Sequence, residues 1–146
     1  MKLVVQRVTS ASVEVDNKII GEIEDGLMVL VGFGENDTVR EADYLARKLA
    51  KLRIFEDENG RMNKSVMDIG GKLLLVPQFT LYAHTKKNRP SFHKALAPDE
   101  ATVLFDYFTQ KCRELVDTET GEFGAFMKVN LLNNGPVTIL LDKEFD

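Results

Sequence analysis

The sequence is poor in cysteine and histidine, and that poverty narrows its chemistry. Its only cysteine, Cys112, has no internal partner for a disulfide, which suits a reducing compartment. The two histidines, His84 and His93, come with no paired cysteines and no HExxH run, too few soft ligands for a zinc site. No apolar run approaches the roughly 18 residues of a membrane helix, and the apolar stretch within Met1 to Arg7 is too short for a signal peptide. The expectation is a cytoplasmic protein with no membrane partner. An excess of positive charge is missing too: 19 Lys and Arg against 23 Asp and Glu give a net charge of −4. The surface as a whole therefore lacks the electrostatic footprint of a nucleic-acid binder. Repeats, low-complexity tracts and Pro/Ser-rich linkers are absent as well.

What is present fits one domain spanning residues 1–146, with 44% hydrophobic and 29% charged residues. The first third has strand character. Leu3 to Val8 and Ser12 to Val15 are strand-like, Asp16-Asn17 makes a turn, and Ile19 to Ile23 follows. After Asp25-Gly26, Leu27 to Val31 is an uninterrupted apolar run, the pattern of a strand covered on both faces.

Thr38 and Glu41 then form an S/T-x-x-E capping pattern. Val39, Ala42, Leu45, Ala46, Leu49 and Leu52 recur at the spacing of one helical face. Asn59-Gly60 and Gly70-Gly71 punctuate the chain before a second apolar strand, Leu73 to Val76. A second helix is expected from Pro98-Asp99, since proline suits the first helical turn. Its apolar positions are Ala101, Leu104, Phe105, Phe108, Cys112 and Leu115, so Cys112 reads as a small core residue. Ala125 to Leu132 and Val137 to Leu141 read as two strands joined at Asn133-Asn134-Gly135-Pro136. The sum is an α+β fold: a barrel-like sheet body with two main helices packed on it.

Four segments could carry chemistry. In Pro77-Gln78-Phe79-Thr80-Leu81-Tyr82, strand alternation would put Gln78, Thr80 and Tyr82 on one face, either lining a pocket or simply solvated. A threonine nucleophile needs an adjacent base, and no Ser-His-Asp order supplies one. Positioning or hydrogen bonding by Thr80 is the more economical role, beside the alternative of a Thr80 esterase or peptidase. Gly135-Pro136 reads as a turn, or, if its bond is cis, as a rigid pair of carbonyls pointing one way. The stretch from His84 to Lys94 holds Lys86, Lys87, Arg89 and Lys94 without an acid. It is either a solvated loop or a patch for a phosphate backbone, the latter compatible with a non-catalytic RNA-binding domain. Arg7 alternates with Leu3 and Val5, but the facing of its strand is undecided.

In order and together, these segments closely resemble the D-aminoacyl-tRNA deacylase family. The likeness covers nearly the whole chain. It runs through Gln6-Arg7-Val8, Ala11-Ser12-Val13, Gly26-Leu27, Arg53-Ile54-Phe55, Met62-Asn63, Gln78-Phe79-Thr80-Leu81, Arg89-Pro90-Ser91-Phe92, Asp106-Tyr107-Phe108, Thr120-Gly121 with Phe123, and Asn134-Gly135-Pro136-Val137-Thr138. Gln-Phe-Thr-Leu and Gly-Pro-Val-Thr are the family's signatures.

The resemblance implies an aminoacyl-tRNA editing hydrolase, a homodimer with two composite sites, that cleaves D-aminoacyl-tRNA and mischarged glycyl-tRNA. Gln78, Phe79 and Thr80 would form one wall, offering main-chain amides. Gly135-Pro136, held cis, would come from the other subunit with Arg7 fixing its orientation. Phe123, Met127 and Ala95 would shape the pocket for the terminal adenosine and the amino acid. The implied chemistry is assisted by the 2′-hydroxyl of that adenosine, with no metal or organic cofactor. Two residues depart from the family pattern: Pro77 stands where serine is usual, without hydroxyl or amide hydrogen, and Asn134 where aspartate is frequent.

Overall fold

A computed structural model describes residues 1–146. In chain order it contains β1 (Lys2–Val15), β2 (Lys18–Ile23), β3 (Gly26–Gly32), α1 (Val39–Lys51), β4 (Phe55–Glu56) and β5 (Met62–Lys64). These are followed by β6 (Lys72–Pro77), a 3₁₀ turn (Phe79–Tyr82), α2 (Pro98–Arg113), β7 (Thr118–Thr120) and β8 (Lys128–Asp142). The main sheet has the order β2-β1-β3-β6-β7, with β8 on the other edge of β1. β4 and β5 form a separate small hairpin.

β1 is the spine, a single strand where the sequence suggests two segments. Residues 2–8 pair with β3 and residues 11–15 with β2 along one edge, while β8 follows the other edge for most of its length. A strand with partners on both sides satisfies its backbone groups without interruption. Asp16 and Asn17, at φ 50° and 64°, close the β1–β2 hairpin in the doubly left-handed geometry that Asp and Asn tolerate. β3, β6 and β7 run parallel. The ends of this sheet curl towards each other: a Cβ on Gly21 of β2 would lie 2.7 Å from the Thr120 carbonyl oxygen of β7. The result is the near-closed, barrel-like body expected.

Closure explains the two unbroken apolar runs. Leu27, Val29, Val31, Leu73 and Leu75 face the helices, with Leu3 and Val5 of β1. Met28, Leu74 and Val76 point the opposite way, into the curled sheet beside Val8, Val13 and Ile23. Both faces are therefore covered. The helices pack on the outer face through Ala42, Leu45, Ala46 and Leu49 of α1 and Ala101, Leu104, Phe105 and Phe108 of α2. Val39, placed by periodicity on this face, is 46% exposed because it sits at the first turn, beyond the reach of the core. The capping box is formed: the Thr38 amide donates to Glu41 Oε1 at 2.9 Å, and Thr38 Oγ1 accepts from the Arg40 amide at 3.2 Å. Cys112 is fully buried, and that burial pushes its thiol pKa up to about 12, so it is a core side chain rather than a reactive one.

Two expectations about the site segments are corrected here. The chain does not reverse at Asn133 to Pro136. β8 is one antiparallel strand along β1, and Asn134 to Val137 stand opposite the single residue Arg7 as a bulge. Pro136 has no amide hydrogen for the ladder, but β1 continues on both sides, so pairing resumes at Gln6 with Thr138. Nor do Gln78 to Tyr82 extend β6. The neighbouring strands run out: β6 last pairs Pro77 with Val31 and Leu75 with Thr120. With no strand partner beyond Gln78 the backbone coils into a 3₁₀ turn, the Leu81 amide bonding the Gln78 oxygen at 3.3 Å, and strand alternation of Gln78, Thr80 and Tyr82 is lost.

Candidate active site

The turn after β6 stands at the rim of a cleft of about 370 Å³. The cleft is lined mainly by apolar groups, including Phe33, Pro77, Phe79, Phe92, Ala95 and Phe123, with Gln78 the one polar side chain. Not one lining residue is ionisable, so the cleft offers neither a protein acid nor a base. Apolar walls with few polar groups are the usual makeup of a small-molecule site.

The turn supplies donors. The Gln78 amide is engaged by the Val31 oxygen at 2.8 Å, which reduces the expected set of three free amides to two. The amides of Phe79 and Thr80, first in the turn, have no partner in it, as the opening residues of any such turn leave theirs free. The Gln78 side-chain amide donates to Thr80 Oγ1. That bond occupies a lone pair of the hydroxyl and leaves its proton for another acceptor. Phe79 is 56% exposed and meets Phe92 edge to face, ring centroids 4.9 Å apart.

Of the other expected pocket residues, Ala95 and Phe123 line the cleft. Met127 does not. It packs against the inner face of the curled sheet, close enough to Gly121 that a Cβ there would lie 2.6 Å from its sulfur.

Gly135 and Pro136 are exposed, joined by a cis peptide bond, and lie apart from this cleft's lining. Their bulge is held from beneath. Arg7 is 6% exposed, and its Nε donates to the Asn134 oxygen and its Nη1 to the Ile54 oxygen, both at 2.8 Å. The facing left open by the sequence is thus inward. Asn133, which no spacing pattern singles out, clamps the other side. Its Oδ1 accepts from the Val137 amide at 2.7 Å, and its Nδ2 donates to the Val137 oxygen at 3.2 Å and Thr138 Oγ1 at 3.1 Å.

The basic stretch divides. His84 and Ser91 exchange backbone bonds of 2.7 and 3.0 Å, closing a small hairpin with Lys86, Lys87 and Arg89 exposed at its tip. Lys94 lies beyond it, beside a polar hollow with Glu35, Asp37, Asp142 and Glu144. None of the four cations forms a salt bridge. The imidazoles of His84 and His93 meet at 5.3 Å, and His93 Nδ1 lies 3.1 Å from Ser91 Oγ, but neither histidine lines the cleft. Sequence reasoning missed Phe33, Leu96, Ala97 and Pro98 as cleft residues. Phe33 follows β3 and Leu96-Ala97-Pro98 is the run after Ala95; the fold brings these two segments together, and no motif marks either as a cleft wall.

Residues 4–142 match the sequence model of the D-Tyr-tRNA(Tyr) deacylase family. The chain belongs to this family. Relatives of the deacylase family agree over the full length. A D-aminoacyl-tRNA deacylase of Bacillus pumilus is 56% identical over 146 residues, covering 99% of each chain. One from Thermosipho melanesiensis is 52% identical over 147 residues, covering 99% of this chain and 98% of that one. Among solved structures, the c-Myc DNA Unwinding Element Binding Protein superposes with a TM-score of 0.92 at 43% identity, covering 99% of this chain and 100% of that one. The fold is thus shared with a solved structure along 99% of the chain.

Proposed function

We propose that the protein is an editing hydrolase that cleaves the ester between a D-amino acid and tRNA and spares L-aminoacyl-tRNA. The observation that carries this reading is the 3₁₀ turn: two unpartnered amides at the rim of an apolar cleft that holds no acid or base. The terminal adenosine occupies the cleft, among Phe79, Phe92, Ala95 and Phe123. The ester carbonyl then lies over the turn, where the Phe79 and Thr80 amides stabilise the charge that develops on its oxygen. Water adds to the carbonyl carbon, the acyl–O3′ bond breaks, and O3′ takes the proton. The adenosine's own 2′-hydroxyl assists the attack, and the protein contributes orientation.

Handedness is read by Gly135-Pro136 of a second copy. Within one chain these residues are exposed and lie outside the cleft lining, and β8 exposes Leu132 (62%) and Leu140 (73%) on either side. Such apolar exposure supports a homodimer whose composite sites take a cleft from one subunit and a bulge from the other. The bulge crowds the direction in which an L-residue projects its side chain and leaves the D-direction open. Glycine has nothing to exclude, so glycyl-tRNA is also cleaved. Selection works by rejection. Lys86, Lys87 and Arg89 at the hairpin tip, with Lys94 behind, meet the phosphate backbone of the tRNA.

Purified protein is expected to deacylate D-Tyr-tRNA at least about tenfold faster than L-Tyr-tRNA, a margin that steric exclusion alone can supply. Rates are followed by the loss of ester-linked radiolabelled amino acid. Equal rates on the two enantiomers would remove chiral rejection, and salt-sensitive tRNA binding without cleavage would leave an RNA-binding domain instead.

A further inference from the structure

The end of β3 and the residues that follow it touch two walls of the cleft. The Val31 oxygen accepts from the Gln78 amide at 2.8 Å, the Phe33 oxygen accepts from the Leu96 amide at 3.0 Å, and the Glu35 amide donates to the Lys94 oxygen at 2.9 Å. Gly34 also forms an isolated bridge with Ala95. The turn Gln78 to Tyr82 and the strip Lys94 to Leu96 are therefore both tied to residues 31–35.

Two glycines in this segment face the turn directly. A Cβ on Gly34 would stand 2.7 Å from Cε1 of Tyr82, 3.0 Å from Cζ and 3.2 Å from the hydroxyl oxygen. A Cβ on Gly32 would stand 2.9 Å from Cβ of Leu81 and 3.1 Å from the Gln78 carbonyl oxygen. Neither glycine has the positive φ that excludes other residues. Alanine would suit the backbone at both and would ordinarily stabilise by restricting the unfolded chain. Glycine is needed there for room.

The Tyr82 ring is held among charged neighbours. The Lys2 ammonium sits 4.7 Å from its centroid, and the ring borders the hollow with Asp37, Asp142 and Glu144. Burial, and then the charges of Asp37, Asp142 and Glu144, hold its hydroxyl in the neutral form well above the ordinary phenol range. Gly34 is fixed as well, since its amide donates to Asp37 Oδ2 at 2.6 Å. A methyl group at Gly34 would thus be relieved chiefly by moving Tyr82, and Tyr82 ends the turn that begins with Phe79 and Thr80.

We propose that Gly34, with Gly32 beneath the same turn, is a positioning residue: its missing side chain sets where the Phe79 and Thr80 amides stand over the cleft. This rests on the deacylase reading of the site. Small displacements of a positioned group are costly, up to about a hundredfold for 1 Å.

The test uses Gly34→Ala, Tyr82→Leu and the double variant, assayed on D-Tyr-tRNA with Tm measured alongside. Gly34→Ala is expected to lower kcat roughly tenfold or more with a smaller change in KM, because the apolar walls of the cleft stay in place. The double variant, lacking the ring atoms that the new methyl meets, is expected to be no slower than Tyr82→Leu alone. A kcat for Gly34→Ala equal to wild type, or losses that simply multiply in the double variant, would overturn the proposal. So would a fall in Tm with kcat per folded molecule intact. If Gly34→Ala does not fold, Gly32→Ala is decisive in the same way: reduced kcat supports the role and wild-type kcat overturns it. Wild-type protein that leaves D-Tyr-tRNA intact overturns the deacylase reading and this inference together, whereas active wild type with fully active Gly34→Ala overturns the inference alone.

Discussion

Arg7→Ala is expected to cost roughly 3 kcal/mol of stability or more, from two hydrogen bonds to a charged donor at about 1.5–3 kcal/mol each. It is also expected to erase most of the preference for D- over L-aminoacyl esters. The guanidinium is 6% exposed and ties the Asn134 oxygen to the Ile54 oxygen at 2.8 Å each. Removing it leaves both carbonyls facing an apolar gap. The bulge would then be held on the Asn133 side only, and under the proposed chiral rejection a loosely held Gly135-Pro136 would not exclude an L side chain as a rigid one would. Arg7→Lys is the sharper variant. It keeps the charge, but a single ammonium lacks the forked geometry that reaches two acceptors in different directions. It should fold better than Arg7→Ala while still losing discrimination. Denaturant unfolding gives the stability change, and the ratio of D-Tyr-tRNA to L-Tyr-tRNA rates gives the selectivity. A folded Arg7→Ala protein with the wild-type ratio would show that the bulge needs no such anchor.

The second large effect lies in the substrate. A tRNA ending in 2′-deoxyadenosine and charged with D-tyrosine on its 3′-oxygen is expected to react about 10²–10⁴-fold more slowly, the usual worth of proton transfer in the transition state. The cleft holds no ionisable side chain, and both histidines lie outside it, so no titratable group of the cleft replaces the missing hydroxyl. Thr80→Ala should be mild by comparison and keep measurable activity, since its main-chain amide survives the substitution. The single-turnover rate of hydrolysis separates the alternatives. Full activity on the deoxy substrate, with complete loss in Thr80→Ala, would instead make Thr80 the nucleophile.

How much of this was legible in the sequence depends on whether the deciding information was local. The capping box at Thr38 and Glu41, the Asp16-Asn17 turn and the buried Cys112 each follow from a few neighbouring residues, and each is found as expected. The two unbroken apolar runs correctly marked strands with both faces covered. Misreadings arose where a neighbour decided the backbone. Gln78 to Tyr82 has the composition of a strand, but it coils because β3 and β7 have ended beside it. Gly135-Pro136 has the composition of a reversal, but β1 carries the strand through it. The same holds for the site. Gln78, Phe79, Ala95 and Phe123 do meet at one cleft. Met127 lies on the other side of the sheet, and Asn133 owes its clamping role to contacts that spacing does not reveal. The close approach of Gly34 to Tyr82 spans 48 positions of sequence and is visible only in three dimensions.

Subunit mixing tests the proposed sharing of the site between two copies most directly. One partner carries Ala95→Trp, which fills the cleft, and the other Gly135→Val, whose side chain would meet Val137 and Arg7 at a position with φ 144°. Each variant alone should lack D-selective deacylation. In a mixed dimer, a cleft and a bulge from different chains leave one site wholly intact and the other doubly damaged, so D-selective hydrolysis should return with the mixed species. If mixing restores nothing, each site draws its cleft and its Gly-Pro bulge from the same chain, and chiral rejection across the subunit boundary is wrong.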